Sequence, residues 1–124
     1  MPDPSVLVLV LAFLIKHFIA DFVLQTAWMV RTKGRYGHIG GLIHTGIHLV
    51  CSGLILAYFG FGFLIAALLL LGEGIIHYHV DWAKDQITSR RGYDPSSHMF
   101  WILTGLDQLI HYLTYLAMIA LLVL

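Results

Sequence analysis

Glu73, His77 and Asp81 stand four residues apart in the stretch Gly72-Glu73-Gly74-Ile75-Ile76-His77-Tyr78-His79-Val80-Asp81. In a helix each lies only about 40° round from the last, so the three share one stripe. Carboxylates and an imidazole on one face can hold a metal ion or move a proton. The stripe follows directly on the apolar run from Phe63 to Leu71. Ionisable groups carried into a membrane segment are costly, and by default they mark a functional site.

Three more pairs share the i, i+4 spacing: His17 with Asp21, His44 with His48, and Asp107 with His111. Each pair projects from one helical face. Counted from the basic connections, these residues lie roughly 7 to 15 positions into their segments, which is about 10–22 Å deep at the helical rise. Neighbouring segments run in opposite directions, yet every pair reaches the same layer. The expected metal ligands are His17, Asp21, His44, His48, His77, Asp81, Asp107 and His111. The expected general-base carboxylates are Glu73 and Asp107. This set exceeds the needs of one tetrahedral ion and predicts two divalent ions, zinc first, with iron or manganese as alternatives. Helical bundles build di-metal sites from such pairs on facing helices. Some of the carboxylates could instead orient ligand imidazoles, and the division stays open.

Lys16 lies about as deep as Glu73, which leaves Glu73 two roles: partner of a buried lysine, or ligand and base. His79 points away from His77 on its helix. His38 and His98 fall at helix starts near the surface, and Thr45 and Ser52 read as packing hydroxyls. The competing explanation for all the polar pairs is interhelical hydrogen bonding that holds a small bundle together.

The elements that must position these groups are membrane helices. Of 124 residues, 59% are hydrophobic, and a crossing takes about 20 residues. The fold class is an all-α membrane protein, a single-domain bundle of four transmembrane helices over about 5–30, 37–59, 63–87 and 98–124. A formal net charge of zero gives no attraction to nucleic acid, and the single Cys51 gives no intrachain disulfide. The first segment lacks a basic flank and a cleavage site and reads as a retained helix.

Arg31, Lys33, Arg35, Lys84, Arg90 and Arg91 all fall at one end of such a bundle. The positive-inside rule puts that end in the cytoplasm and both termini on the non-cytoplasmic side. Trp28, Tyr36, Trp82, Tyr93 and Trp101 cluster there as an aromatic belt. The expected partners are membrane lipids and a second copy of the chain, docked through the glycine-rich start of segment two (Gly37, Gly40, Gly41, Gly46).

His17-x-x-Ala20-Asp21-x-x-x-Gln25, the later His44 and His48, and Glu73-x-x-x-His77-x-x-x-Asp81 together resemble a small bacterial and phage inner-membrane family. That family is catalogued only as a domain of unknown function, number 3307. The resemblance covers nearly the whole chain and implies a bacterial inner-membrane protein with a His/Asp site. More distantly the pattern is similar to predicted membrane-bound metal-dependent hydrolases.

Three functions fit this reading. A metal-dependent hydrolase would act on a lipid-linked or phosphate-bearing substrate at the cytoplasmic leaflet. A di-iron redox enzyme would use the same ligands, though without the dense His clusters typical of membrane desaturases. A non-enzymatic module would handle ions or protons, or bind haem between facing imidazoles. The upper half of the bundle (Leu54, Ile55, Leu56, Leu64, Ile65 and Leu116 to Leu124) has no ionisable residue, which argues against a pore.

Overall fold

The computed structural model describes residues 4–123. It is all-helical, with no strand among the described residues. Helix α1 spans Pro4–Phe18 and runs into a π-helical turn over Ile19–Val23; α2 spans Ala27–Thr32, α3 Ile39–Tyr58, α4 Phe63–Arg91 and α5 His98–Val123. Four segments, Ser5–Val23, Ile39–Tyr58, Phe63–Arg91 and His98–Val123, are long and apolar enough to cross a membrane. By length and composition this is a membrane protein.

Polarity is inverted relative to a water-soluble domain. Among the described residues, fourteen polar or charged residues are buried against eight hydrophobic ones. On α4 the buried positions are Glu73, His77, Asp81 and Thr88, whereas Leu64, Leu68, Leu71 and Ile75 face outward. Outward leucines cost nothing in lipid, while every polar group must find a partner inside. The helices pack in a ring, with α1 against α3 and α5, and α4 against the same two. Towards Gly60 the interior is apolar, built from Leu9, Phe13, Leu56, Tyr115, Met118 and Ile119. Below that layer, the interior is polar.

The first segment departs from the expected single helix over 5–30. The α-helix widens into the π-turn that carries Asp21, and Leu24 N–H closes it on the Ile19 carbonyl at 2.8 Å. The chain then leaves helical geometry until Thr26, whose extended backbone (ψ 158°) and side chain cap α2 by accepting from Met29 N–H. Gln25 Nε2 donates to the Asp21 carbonyl at 2.8 Å, serving an acceptor that the break would otherwise strand. π-Turns of this kind recur at functional sites because they re-aim one side chain. The third membrane segment, α4, also runs past the expected Ile87 to Arg91, where Gly92 (φ 66°) ends it in the left-handed conformation that glycine tolerates.

At the basic end, the connection between α2 and α3 is fastened onto α4. Gln86 Nε2 donates to the Gly34 carbonyl at 2.6 Å, and Gly37 N–H donates to the Tyr78 hydroxyl at 2.6 Å. A Cβ on Gly34 would collide with the Asp85 carboxylate, so any larger residue would have to displace that side chain. Gly40 and Gly41 likewise let Thr32 and Tyr78 of the same chain come close. These two glycines therefore serve packing within the chain, and Gly46 faces open space.

Candidate metal centre

Every sequence-expected site residue is buried: His17, Asp21, His44, His48, Glu73, His77, Asp81, Asp107 and His111. The four main helices each contribute, and the imidazoles turn their Nε2 atoms inward. Two groups have ligand atoms within 4.8 Å of one another, Asp21 with His44, His48 and His77, and His77 with Asp81 and His111. These buried groups could hold a metal ion. They share His77.

Asp21 anchors the first group. Its Oδ1 accepts from His48 Nε2 at 2.9 Å and lies 3.2 Å from His44 Nε2. Its Oδ2 faces His17 Nε2 at 3.0 Å and accepts from Gln108 Nε2 at 3.1 Å. Asp81 anchors the second. Its Oδ1 is 3.2 Å from His111 Nε2, and its Oδ2 is 3.2 Å from His44 Nε2 and 3.6 Å from His77 Nε2. Asp81 thus touches both groups.

Hydrogen bonding alone serves this arrangement poorly. His44 Nε2 has three near neighbours, Asp21 Oδ1, Asp81 Oδ2 and His77 Nε2 at 3.3 Å. A single ring N–H can satisfy one of them well. The outer Nδ1 atoms of His44 and His77 are buried without a partner, so nothing outside the cluster sets their tautomers. Charge points the same way. Four buried carboxylates (Asp21, Glu73, Asp81, Asp107) face two ammonium groups (Lys16, Lys33). With neutral imidazoles that leaves two negative charges in a low-dielectric interior, which one divalent cation would cancel.

His17 and Asp107 lie outside the two groups. His17 Nδ1 pairs with the Tyr115 hydroxyl at 2.8 Å and Nε2 with Gln108 Oε1 at 2.8 Å. Both its nitrogens are therefore engaged, as in a residue that orients ligands. Asp107 Oδ2 accepts from Gln108 Nε2 at 3.2 Å. Its Oδ1 lies 3.3 Å from His111 Nε2 but has no hydrogen bond, because that ring bonds Asp81. Glu73 stands apart, one turn nearer the apolar layer. Its Oε1 accepts from Lys16 Nζ at 2.6 Å and Ser52 Oγ at 2.9 Å, and Oε2 has no partner. Of the two roles open to Glu73, this geometry supports the ion pair.

Sequence reasoning missed three participants. Tyr115 continues the Asp107–His111 stripe by another four residues, a signal that was available. Gln108, next to Asp107, reaches Asp21, Asp107 and His17. Lys33 reads as one more basic loop residue, yet its side chain is only 11% exposed and its Nζ meets Asp81 Oδ2 at 3.0 Å. Burial disfavours that ammonium, but the Asp81 charge outweighs the penalty and holds the Lys33 pKa above its usual value. Two of the histidines set apart from the cluster have other partners. His79 is exposed and pairs with Tyr36, and His38 Nδ1 caps α3.

Fold and site together define a class: an all-helical membrane protein whose interior is a buried His/Asp cluster able to take a metal ion. The chain belongs to the family described as protein of unknown function (DUF3307), whose match covers residues 9–124. No curated protein and no solved structure matches it significantly.

Proposed function

We propose that the chain is an integral membrane metalloprotein holding two divalent ions, and that it hydrolyses a lipid-linked or phosphate-bearing substrate. The observation that carries the reading is the composition of the two groups. One imidazole nitrogen ligates one ion, so the shared His77 goes to one group only. Assigned to the second, it leaves Asp21, His44 and His48 facing His77, Asp81 and His111. Each set then has two imidazoles and one carboxylate, the donors of many hydrolytic zinc and non-haem iron sites.

A divalent ion bound there supplies Lewis acidity and hydroxide at neutral pH. The chain's own residues do the remainder. Asp107, whose Oδ1 is unbonded beside His111, accepts the proton from the attacking water. Gln108 bridges Asp107 to Asp21 and fixes both carboxylates. Tyr115 sets the ring of His17, which steadies Asp21 from behind. With two divalent ions the core would carry two surplus positive charges, a balance that a phosphate group closes. The positive-inside rule applied to the basic connections supports a site near the cytoplasmic face, which completes the reading as a bacterial inner-membrane protein with both termini on the other side.

A di-iron redox enzyme is the second reading, favoured by the same two-His, one-carboxylate sets. Elemental analysis of the full chain, purified in detergent without chelator, separates the two. About two equivalents of zinc or manganese, with at least the ion of the second set lost in His77→Ala/Asp81→Ala, support hydrolysis, and iron supports redox chemistry. Protein that is metal-free and folded defeats both.

A further inference from the structure

Along the bundle axis the polar core is closed. Leu9, Phe13, Leu56 and Tyr115 pack across it on the Gly60 side. At the basic end the connection from Lys33 to Gly37 lies fastened on α4, with the Lys33 ammonium on Asp81. A groove between α3 and α4, lined by Leu42, Leu49, Gly74 and Ile75, reaches none of the proposed ligands.

A second groove, of about 170 Å³, opens sideways between α4 and α5. Val80 and Ala83 line it from α4, and Leu103, Leu106 and Ile110 from α5. Two charged residues also border it, Asp107 and Lys84. Asp107 belongs to the polar core and to this groove at once. Lys84 makes no ion pair among the described residues; its ammonium sits 5.8 Å from the Phe100 ring centroid. Ile87 joins the groove to a shallow depression lined by Gln86, Arg90 and Arg91. The result is an apolar slot with a core carboxylate on its wall and cations towards the basic end.

We propose that this groove binds an anionic phospholipid, with part of one acyl chain between Ala83 and Leu106 and the phosphate on Lys84, backed by Arg90 and Arg91. Charge selects the occupant. An uncharged chain would leave Lys84 unpaired at the edge of the hydrocarbon, and a zwitterionic headgroup brings its own cation, whereas an anionic phosphodiester supplies a net counter-charge. The volume admits part of one hydrocarbon chain and no helix. The proposal names the substrate class and entry route for the site above, and it rests on that reading only for the chemistry at Asp107.

The test is binding of pyrene-labelled phosphatidylglycerol to the full chain in dodecyl maltoside, read by energy transfer from Trp82 and Trp101. Phosphatidylcholine carrying the same chains is the comparison. Saturable binding that prefers phosphatidylglycerol is expected. Lys84→Gln should weaken phosphatidylglycerol by about fivefold, as expected for one basic residue at a membrane surface, and leave phosphatidylcholine unchanged. Ala83→Phe should remove saturable binding of both, and Ala67→Phe, on the lipid face of α4 beside α3, should change neither. Equal binding of the two lipids by the native chain overturns the proposal, as does full binding in Ala83→Phe. If Ala83→Phe does not fold, lipid preference unchanged in Lys84→Gln is sufficient to overturn it. Metal content of the same samples keeps the two readings apart. Metal-loaded protein without lipid preference defeats the groove alone, and metal-free protein with it defeats the metal centre alone.

Discussion

The Nε2 atoms of His44 and His77 lie 3.3 Å apart in a buried layer. Two ring nitrogens this close must share a proton or a cation. Asp21 and Asp81 both approach His44 from the other sides, and one ring N–H cannot serve all three acceptors. Cation binding to the folded state must then stabilise it, by about 2.7 kcal/mol when the ion is at a hundred times its Kd. Added zinc or manganese should raise the thermal midpoint in detergent, and chelator should lower it. His44→Ala/His77→Ala should abolish the response. A midpoint indifferent to every divalent ion in the native chain would speak against a metal centre.

On the proposed reading, His17 orients a ligand and does not itself bind the ion. Its nitrogens are taken by Tyr115 and Gln108, so its removal should loosen Asp21 without deleting a ligand. His17→Ala is expected to weaken metal affinity by roughly 10- to 100-fold, and Tyr115→Phe by less, the usual cost of losing an outer partner. His48→Ala should abolish binding at the first set. Equal loss in His17→Ala and His48→Ala would make His17 a ligand.

Lys16 and Glu73 form an ion pair at 2.6 Å with both side chains almost fully buried. Removing one partner strands a charge and costs roughly 3–5 kcal/mol, while removing both returns much of it. Lys16→Met and Glu73→Gln should each lower the unfolding free energy strongly, and the double variant should lie above either. The double variant should also keep its bound metal. Additive losses in this cycle, or metal lost from the folded double variant, would return Glu73 to the centre.

The i, i+4 stripes made the layer legible. His44, His48, His77 and Asp81 needed only helical periodicity and an apolar background to be placed together. The break after Val23 was less visible, because the π-turn goes with Asp21 meeting two imidazoles of α3, His44 and His48. Thr26 and Gln25 hinted at it, but as polar residues near a helix end they also fit a water interface. Which residues ligate and which orient was not readable either. That depends on whether Gln108 and Tyr115 reach His17, a fact of tertiary packing. Lys33 misled for a different reason. Positive-inside statistics account for a lysine in a basic loop, and only the tertiary structure shows this one meeting Asp81.

Lys33 holds the outer edge of Asp81, where an ion would also sit. Its ammonium meets Oδ2 at 3.0 Å, and the same oxygen lies 3.2 Å from His44 Nε2. A cation bound among these atoms would be a few ångströms from a like charge, an interaction of several kcal/mol at the effective dielectric of such sites. Lys33→Met should therefore tighten metal binding by at least about tenfold. The connection should stay in place, because Gln86 and Tyr78 fasten Gly34 and Gly37 independently of the lysine. Competition against a chelating dye, with hydrogen exchange over residues 33–38 as the structural control, reads both effects. Weaker binding with unchanged exchange would mean that Lys33 aims Asp81 at the ion, and that this aiming outweighs the repulsion between the two cations.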